Sequence, residues 1–272
     1  MDKFQRSERL AVMVKILSDS PCKIITLGTF SEMFGSAKST ICEDIDIIQN
    51  LMKRFELGTI ETLPGASGGV KYIPSPGRNQ VFAFLETLCI ELKKKERVLP
   101  GGYLYMLDII YNPEIVSEIG RIFAGEFYSK NIDYVITMET KGIPLAFTTA
   151  RYLNTPLVIV RHFSEATDGA SVNINYVSGS SKRIQTMMLP MKALKRNSRL
   201  LFVDDFMKGG GTAKGIMELA REFECTVAGI GVLIETTEPS KKLVEDYFSL
   251  LTLNMVDQQD NIIDIAPSVR KV

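Results

Sequence analysis

Histidine and cysteine are scarce in this chain, and net charge is absent. One histidine (His162) and four widely spaced cysteines (Cys22, Cys42, Cys89, Cys225) include no Cys-x-x-Cys pair. The sequence therefore offers no ligand set for structural zinc. Free thiols, together with a polar amino-terminal stretch (MDKFQRSERL) lacking an apolar signal core, give the expectation of a cytoplasmic protein. The apolar run at 227–234 is too short to span a bilayer, so no membrane partner is expected. Basic and acidic residues balance at 32 each over 272 residues, and the basic excess that marks many nucleic-acid binders is missing. The first 74 residues also balance, nine against nine. DNA contact would then depend on where the cations sit. There is no internal repeat and no low-complexity segment.

The most informative stretch is 200–215, LLFVDDFMKGGGTAKG. An apolar run ends in Asp204 and Asp205; Phe206, Met207 and Lys208 lead to Gly209, Gly210 and Gly211; Thr212 opens a helix-compatible segment. The pattern reads as a buried parallel strand, a glycine loop and a helix start. Unpaired N–H groups at a helix start, reinforced by the helix dipole, attract anions, and Thr212 can cap the helix or donate to the anion. The two carboxylates suit sugar hydroxyls or a metal chelated by sugar and phosphate. A tight strand–helix turn would explain the glycines alone but not the acids and threonine beside them. No Gly-Lys-Ser/Thr closes the run and the spacing is not GxGxxG, so neither nucleotide-loop motif applies. The segment closely resembles the phosphoribosyl diphosphate (PRPP) motif of type I phosphoribosyltransferases. That resemblance implies a Rossmann-like sheet holding PRPP, with the acids on the ribose hydroxyls and the loop on the 5′-phosphate.

The amino-terminal part has a different pattern. Apolar positions Leu10, Val14 and Leu17 predict a helix over 7–20, ended by Pro21. A second helix is expected over 27–34, with a turn at Gly35-Ser36, and a third over about 37–54 with Ile41, Ile45, Ile48 and Leu51 inward. Strand-like runs at 59–63 and 70–73 flank Pro64-Gly65 and Gly68-Gly69. Three helices and a hairpin read as a winged helix-turn-helix, whose third helix enters the major groove. Lys38, Ser39 and Thr40 would then face bases, beside Ser36. Lys71 and the tip Ala66-Ser67-Gly68-Gly69 would form the wing. Arg6 and Arg9 would add phosphate contacts. Such tri-helical modules also mediate protein contacts, and composition does not separate the two.

Pro74-Ser75-Pro76-Gly77 marks a boundary between residues 1–74 and 75–272. A helix is expected over 78–96, its end solvated by the charged run 93–97, and Pro100-Gly101-Gly102 then breaks the chain. A second helical region leads to Tyr128. Beyond it, strands near 132–138, 157–160, 200–203 and 227–234 alternate with helices near 144–153 and 212–223. The alternation predicts an α/β domain with a mainly parallel sheet, whose ligand sits past the strands' carboxyl ends. Thr140-Lys141-Gly142 follows the first of these strands and offers a hydroxyl, a cation and an exposed N–H, a set suited to pyrophosphate. It resembles the pyrophosphate loop of purine phosphoribosyltransferases. Residues 171–182, with Tyr176 and Lys182, read as a lid over a polyanion or as a plain surface hairpin.

End to end, the chain is similar to the PurR-type purine operon regulators of Gram-positive bacteria. The likeness is carried by RSER (6–9), GASGGVKY (65–72), LPGGYLY (99–105), NYVSGSSKRI (175–184) and VDDFMKGGGT (203–212). It implies a winged helix ahead of a phosphoribosyltransferase-like effector and dimerisation domain, forming a homodimer on paired operator boxes upstream of purine genes. It further implies that PRPP, with Mg²⁺ brought by its pyrophosphate and no metal held by the protein alone, lowers DNA affinity in the repressors, while related members are activators. Guanosine tetraphosphate is the implied competitor. Tyr103 and Phe206 fall in the shared motifs and join the expected effector site. Lys208 stands where many catalytic members carry an acid, so no transferase activity and no required cofactor are expected. The alternative is an active purine phosphoribosyltransferase with an amino-terminal extension.

Overall fold

The computed structural model describes residues 4–65, 68–163, 169–177 and 183–268. The amino-terminal module contains α1 (Arg6–Asp19), α2 (Leu27–Phe34) and α3 (Lys38–Arg54), then the hairpin β1 (Thr59–Leu63) and β2 (Gly69–Ile73). The Thr26 side chain accepts from the Thr29 N–H to cap α2, and Gly35 ends that helix in the left-handed region, where a residue without Cβ is favoured. Met13, Leu17, Phe30, Ile41, Ile45, Ile48, Ile60 and Val70 form the module's core. Ile25 adds a third strand-like contact to the hairpin, exchanging two backbone bonds with Val70 at 2.8 and 2.9 Å. Gly69 permits this approach, since a Cβ there would lie 2.2 Å from the Ile25 carbonyl oxygen.

Two expectations for this module are corrected. Leu51 is 46% exposed and Met52 takes the inward place. Arg9 does not face solvent or phosphate: it lies on the α1 stripe with Met13 and Leu17 and is buried against α3. Its Nε and Nη2 donate to the buried Asp44 carboxylate at 2.7 and 3.2 Å. Removing one partner of such a pair strands the other charge, at ~3–5 kcal/mol, so Arg9 is a structural strut. The wing tip residues Ala66 and Ser67 lie outside the described residues.

The second body begins with α4 (Arg78–Leu92), which ends four residues earlier than expected. The charged run that follows is not simply a solvated helix end. A short 3-10 turn folds Arg97 inward, where its guanidinium meets Asp108 at 2.7 and 2.8 Å and the Glu91 side chain at 2.6 Å. That guanidinium holds the Asp108 pKa below the usual carboxylate range. A small hairpin, β3 (Val98–Leu99) and β4 (Tyr103–Leu104), turns through Gly101 and Gly102, both at positive φ. Next come α5 (Leu107–Ile110) and α6 (Pro113–Phe127).

The sheet is built from β5 (Tyr134–Met138), β6 (Leu157–Val160), β9 (Arg199–Met207), β10 (Thr226–Thr236), β11 (Phe248–Asp257) and β12 (Ile262–Pro267). Helix α7 (Ile143–Leu153) links β5 to β6, and α8 (Gly211–Glu222) links β9 to β10. The hairpin of β7 (Ser171–Val177) and β8 (Ile184–Pro190) follows β6. Strand order is β12-β11-β10-β9-β5-β6, parallel throughout except at β12. Alternate side chains of β9 feed two cores. Leu201 and Val203 join α4, α6 and α7 on one face; Leu200 and Phe202 join α8 and the β7–β8 hairpin on the other. This double burial explains why β9 begins as an unbroken apolar run. No helix among the described residues is long and apolar enough to cross a membrane.

Candidate functional site

The order of the strands fixes where a ligand can go. From β5 the chain moves outward to β6, then returns to lay β9 on the opposite side of β5 and continues to β10 and β11. The β5–β9 border is thus the topological switch point, where open α/β sheets hold ligands beyond the strands' carboxyl ends. Direct pairing of β5 with β9 stops at Ile136 and Phe202. Beyond it the strands part around a cavity of ≈ 390 Å³.

Asp204, Asp205, Phe206, Lys208, the three glycines and Thr212 line this cavity from β9 and the start of α8. Thr140 and Lys141 line it from the end of β5, and Tyr176 from the hairpin. Gly142 does not line it but supports it from behind. A Cβ at Gly142 would stand 2.5 Å from Thr137 Oγ1 and 2.8 Å from Asp204 Oδ1, so only glycine lets this turn press against the acid. Tyr103 is not part of this cavity. It is exposed on the small hairpin and lines an adjoining cavity of ≈ 470 Å³ that shares Lys141, Asp205, Phe206 and Lys208 with the first.

The acids are the electrostatic centre. Asp204 is buried, and its Oδ1 accepts from the Asp205 N–H at 3.0 Å. Burial, and then the adjacent Asp205 charge, raise its pKa well above the ordinary carboxylate value. Asp205 is also raised by burial, opposed by its hydrogen bond with Asp204 and by the Lys141 ammonium. Two neighbouring carboxylates in a low-dielectric corner cannot both ionise freely. Donors brought by a ligand would relieve them.

The anion-seeking side lies opposite. Gly210, at φ +79°, precedes α8, and among the described residues the Gly209, Gly210 and Gly211 N–H groups donate to no protein acceptor. Tyr176 donates to Gln185 Oε1 at 2.7 Å, and Thr212 lines the cavity beside it. Residues 171–177 therefore form one strand of a hairpin that leans on the start of α8. The 178–182 part of the expected lid falls outside the described residues.

Glu139, His162 and Gln185 also line the cavity, beyond the site residues expected from the sequence. Glu139 Oε1 accepts from the His162 N–H at 2.6 Å, tying the end of β5 to the end of β6. His162 Nδ1 lies 3.1 Å from the Thr186 carbonyl oxygen on β8. The rule of strand carboxyl ends would have found both Glu139 and His162, since each follows its strand closely. Among the described residues, no group of three His, Cys, Asp or Glu side chains is placed to hold a metal ion.

On the amino-terminal module, Lys38 and Ser39 are exposed at the start of α3 and Thr40 is half-buried. Lys38 makes no ion pair among the described residues. The other expected cations are engaged within the protein. Arg6 pairs with Glu43 at 2.8 Å, and Lys71 on the wing pairs with Glu61 at 3.0 Å.

Residues 5–74 match the family model described as bacterial purine repressor, N-terminal, and residues 106–267 match that of the phosphoribosyl transferase domain. The chain is 48% identical to the purine biosynthesis transcriptional repressor PurR of Bacillus subtilis (strain 168), over 97% of this chain and 92% of that protein. It is 38% identical to the purine biosynthesis transcriptional activator PurR of Lactococcus lactis subsp. lactis (strain IL1403), over 96% of each. Among solved structures, adenine phosphoribosyltransferase from Thermoanaerobacter pseudethanolicus superposes with a TM-score of 0.53 at 20% identity, covering 62% of this chain and 99% of that one. The last comparison is a likeness of fold.

The raised acid pair has a consequence for stability. The folded state retains a proton that the unfolded chain has released, so stability falls as pH rises from the unfolded Asp value, ~3.9, through the raised folded value. Asp204→Asn removes this effect. Ligand-free Asp204→Asn protein is expected to melt a few degrees above wild type at pH 7, with the difference closing below about pH 4. Melting at or below the wild-type temperature at pH 7 would contradict the assignment.

Proposed function

The chain belongs to the bacterial purine repressor family, and from that premise we propose that it represses transcription of purine biosynthesis genes and releases operator DNA when PRPP occupies the acid–glycine cavity. One observation carries the effector half of this reading. Hydroxyl-seeking carboxylates and a phosphate-seeking glycine loop line one cavity with the Thr140-Lys141 turn. PRPP presents a 5′-phosphate, a ribose diol and a pyrophosphate in that order. The loop 208–212 takes the 5′-phosphate, Asp204 and Asp205 accept from the ribose hydroxyls, and Thr140 and Lys141 take the pyrophosphate, with Gly142 supporting their turn from behind. Any Mg²⁺ travels with that pyrophosphate. Phe206 lines the cavity wall, Tyr103 stands at the adjoining cavity, and Tyr176 covers the loop. Guanosine tetraphosphate, which also carries pyrophosphate on ribose, competes for the same groups.

The pocket binds without transferring. Lys208 is exposed on the loop and holds phosphate, but an ammonium abstracts no proton from a nucleobase. The competing reading, an active transferase, predicts nucleotide from PRPP, Mg²⁺ and a purine base. Calorimetry and a radiolabelled-base assay on the same samples test both parts. Losing two charge-assisted bonds of ~1.5–3 kcal/mol each, the double variant Asp204→Ala/Asp205→Ala is expected to bind PRPP at least about a hundredfold more weakly. Wild type is expected to form no nucleotide from hypoxanthine, guanine, xanthine or adenine. Unchanged PRPP affinity in the double variant, or nucleotide above background, would overturn the corresponding part.

The amino-terminal module reads DNA through the start of α3. With nine basic and nine acidic residues in the first 74, one module supplies little non-specific attraction, so tight binding needs a homodimer on two operator boxes. Lys38→Ala is expected to weaken operator binding and to reduce its salt dependence by about one unit of slope. Ser39→Ala or Thr40→Ala is expected to cost ~1–3 kcal/mol on operator DNA alone. Gel shifts in which all three variants keep wild-type operator affinity would show that this helix start is not the reading surface.

A further inference from the structure

The glycine loop is held from behind by a lysine that does not reach the cavity. Lys242 lies between β10 and β11, lining a separate groove with Lys214 and Arg221. Its Nζ donates to the Lys208 carbonyl oxygen at 2.6 Å and to the Thr236 carbonyl oxygen at 2.6 Å. The next residue continues the brace, since the Leu243 N–H donates to the Gly209 carbonyl oxygen at 2.9 Å. Two consecutive loop carbonyls are therefore drawn to the side away from the cavity. In a trans peptide the C=O and the following N–H point in opposite directions. Fixing the Lys208 and Gly209 carbonyls thus turns the Gly209 and Gly210 N–H groups toward the cavity, as in other concave anion sites made of successive backbone N–H groups. Without the brace, either peptide could flip and present an oxygen to the anion. Burial lowers the Lys242 pKa from the usual lysine value, against the opposing pull of Glu235 and Glu238. The ammonium has exchanged water for these carbonyls.

We propose that Lys242 is a positioning residue for 5′-phosphate recognition, acting through the loop peptides without touching the ligand. The inference rests on the reading of loop 208–212 as the 5′-phosphate site. It predicts a selective defect, because the Thr140-Lys141 turn follows another strand and, among the described residues, makes no hydrogen bond with Lys242 or Leu243. Calorimetry on the full chain would compare PRPP, ribose 5-phosphate and inorganic pyrophosphate as probes. Lys242→Met is expected to weaken PRPP and ribose 5-phosphate by about tenfold or more, the scale of a lost charged hydrogen bond, while leaving pyrophosphate unchanged. Lys242→Arg, which can still donate to both carbonyls, is expected to restore most of the affinity. Wild-type affinity for PRPP in Lys242→Met, an equal loss for pyrophosphate, or no recovery in Lys242→Arg would each overturn the role. A wild-type protein that bound neither PRPP nor ribose 5-phosphate would overturn the reading of the cavity itself, and this inference with it.

Discussion

Two carboxylates held side by side in a poorly solvated corner are the constraint on which the phosphoribosyltransferase domain depends. Asp204 and Asp205 lie on β9 just after apolar residues that are buried on both faces of the sheet, so neither acid can move away from the other without dragging the sheet. Gly142 presses on Asp204 from behind and Lys141 draws Asp205 toward its charged form. The fold tolerates a locally unfavourable pair because large apolar cores above and below the sheet fix it in place. Such trade-offs between stability and function concentrate at sites that must greet a ligand. Under the proposed reading, ribose hydroxyls would supply the donors that the ligand-free acids lack.

The same logic runs through the phosphate side. Unpaired loop N–H groups carry partial positive charge that the helix dipole of α8 reinforces. These groups face a cavity whose opposite wall carries the acids, so a ligand must bring both donors and anions to satisfy it. Neither a bare sugar nor a bare phosphate does so. The segment behind the loop, with Lys242 and Leu243 on consecutive carbonyls, keeps that asymmetry in place.

Local signals in the sequence are legible where neighbours along the chain determine the structure. The turn chemistry at Gly35, the strand-like runs either side of Pro64-Gly65 and Gly68-Gly69, and the acid–glycine loop all placed elements that the structure contains. Long-range partners were not legible. Arg9 reads as a surface cation until Asp44, 35 residues away, is seen to bury it, and Arg97 likewise depends on Asp108. Leu51 and Met52 are both apolar and adjacent on α3, and either continues the Ile41, Ile45, Ile48 spacing, so tertiary packing decides that Met52 goes inward. The strands after residue 236 are not legible because their apolar residues pack against α4, far off in sequence, as well as pairing with the neighbouring β10. Tyr103 shares a family motif with the site, yet its hairpin places it at an adjoining cavity.

The two bodies meet along a short seam. Gln80 Nε2 donates to the Phe55 carbonyl oxygen at 3.2 Å, and Gly125 of α6 lies against Pro74 and Ser75. Helix α7 begins directly after the Thr140-Lys141-Gly142 turn and bonds α6 through Thr148 Oγ1 and the Val116 carbonyl oxygen at 2.8 Å. Packed elements thus run unbroken from the cavity to the DNA-reading module, but contiguity alone is not coupling. Coupling is a free energy shared by both ligands, and it must be reciprocal. The direct measurement is operator affinity of the full chain at rising PRPP, paired with PRPP affinity at saturating operator. The account predicts that each ligand weakens the other by the same factor. Operator affinity that stays constant up to saturating PRPP would contradict it.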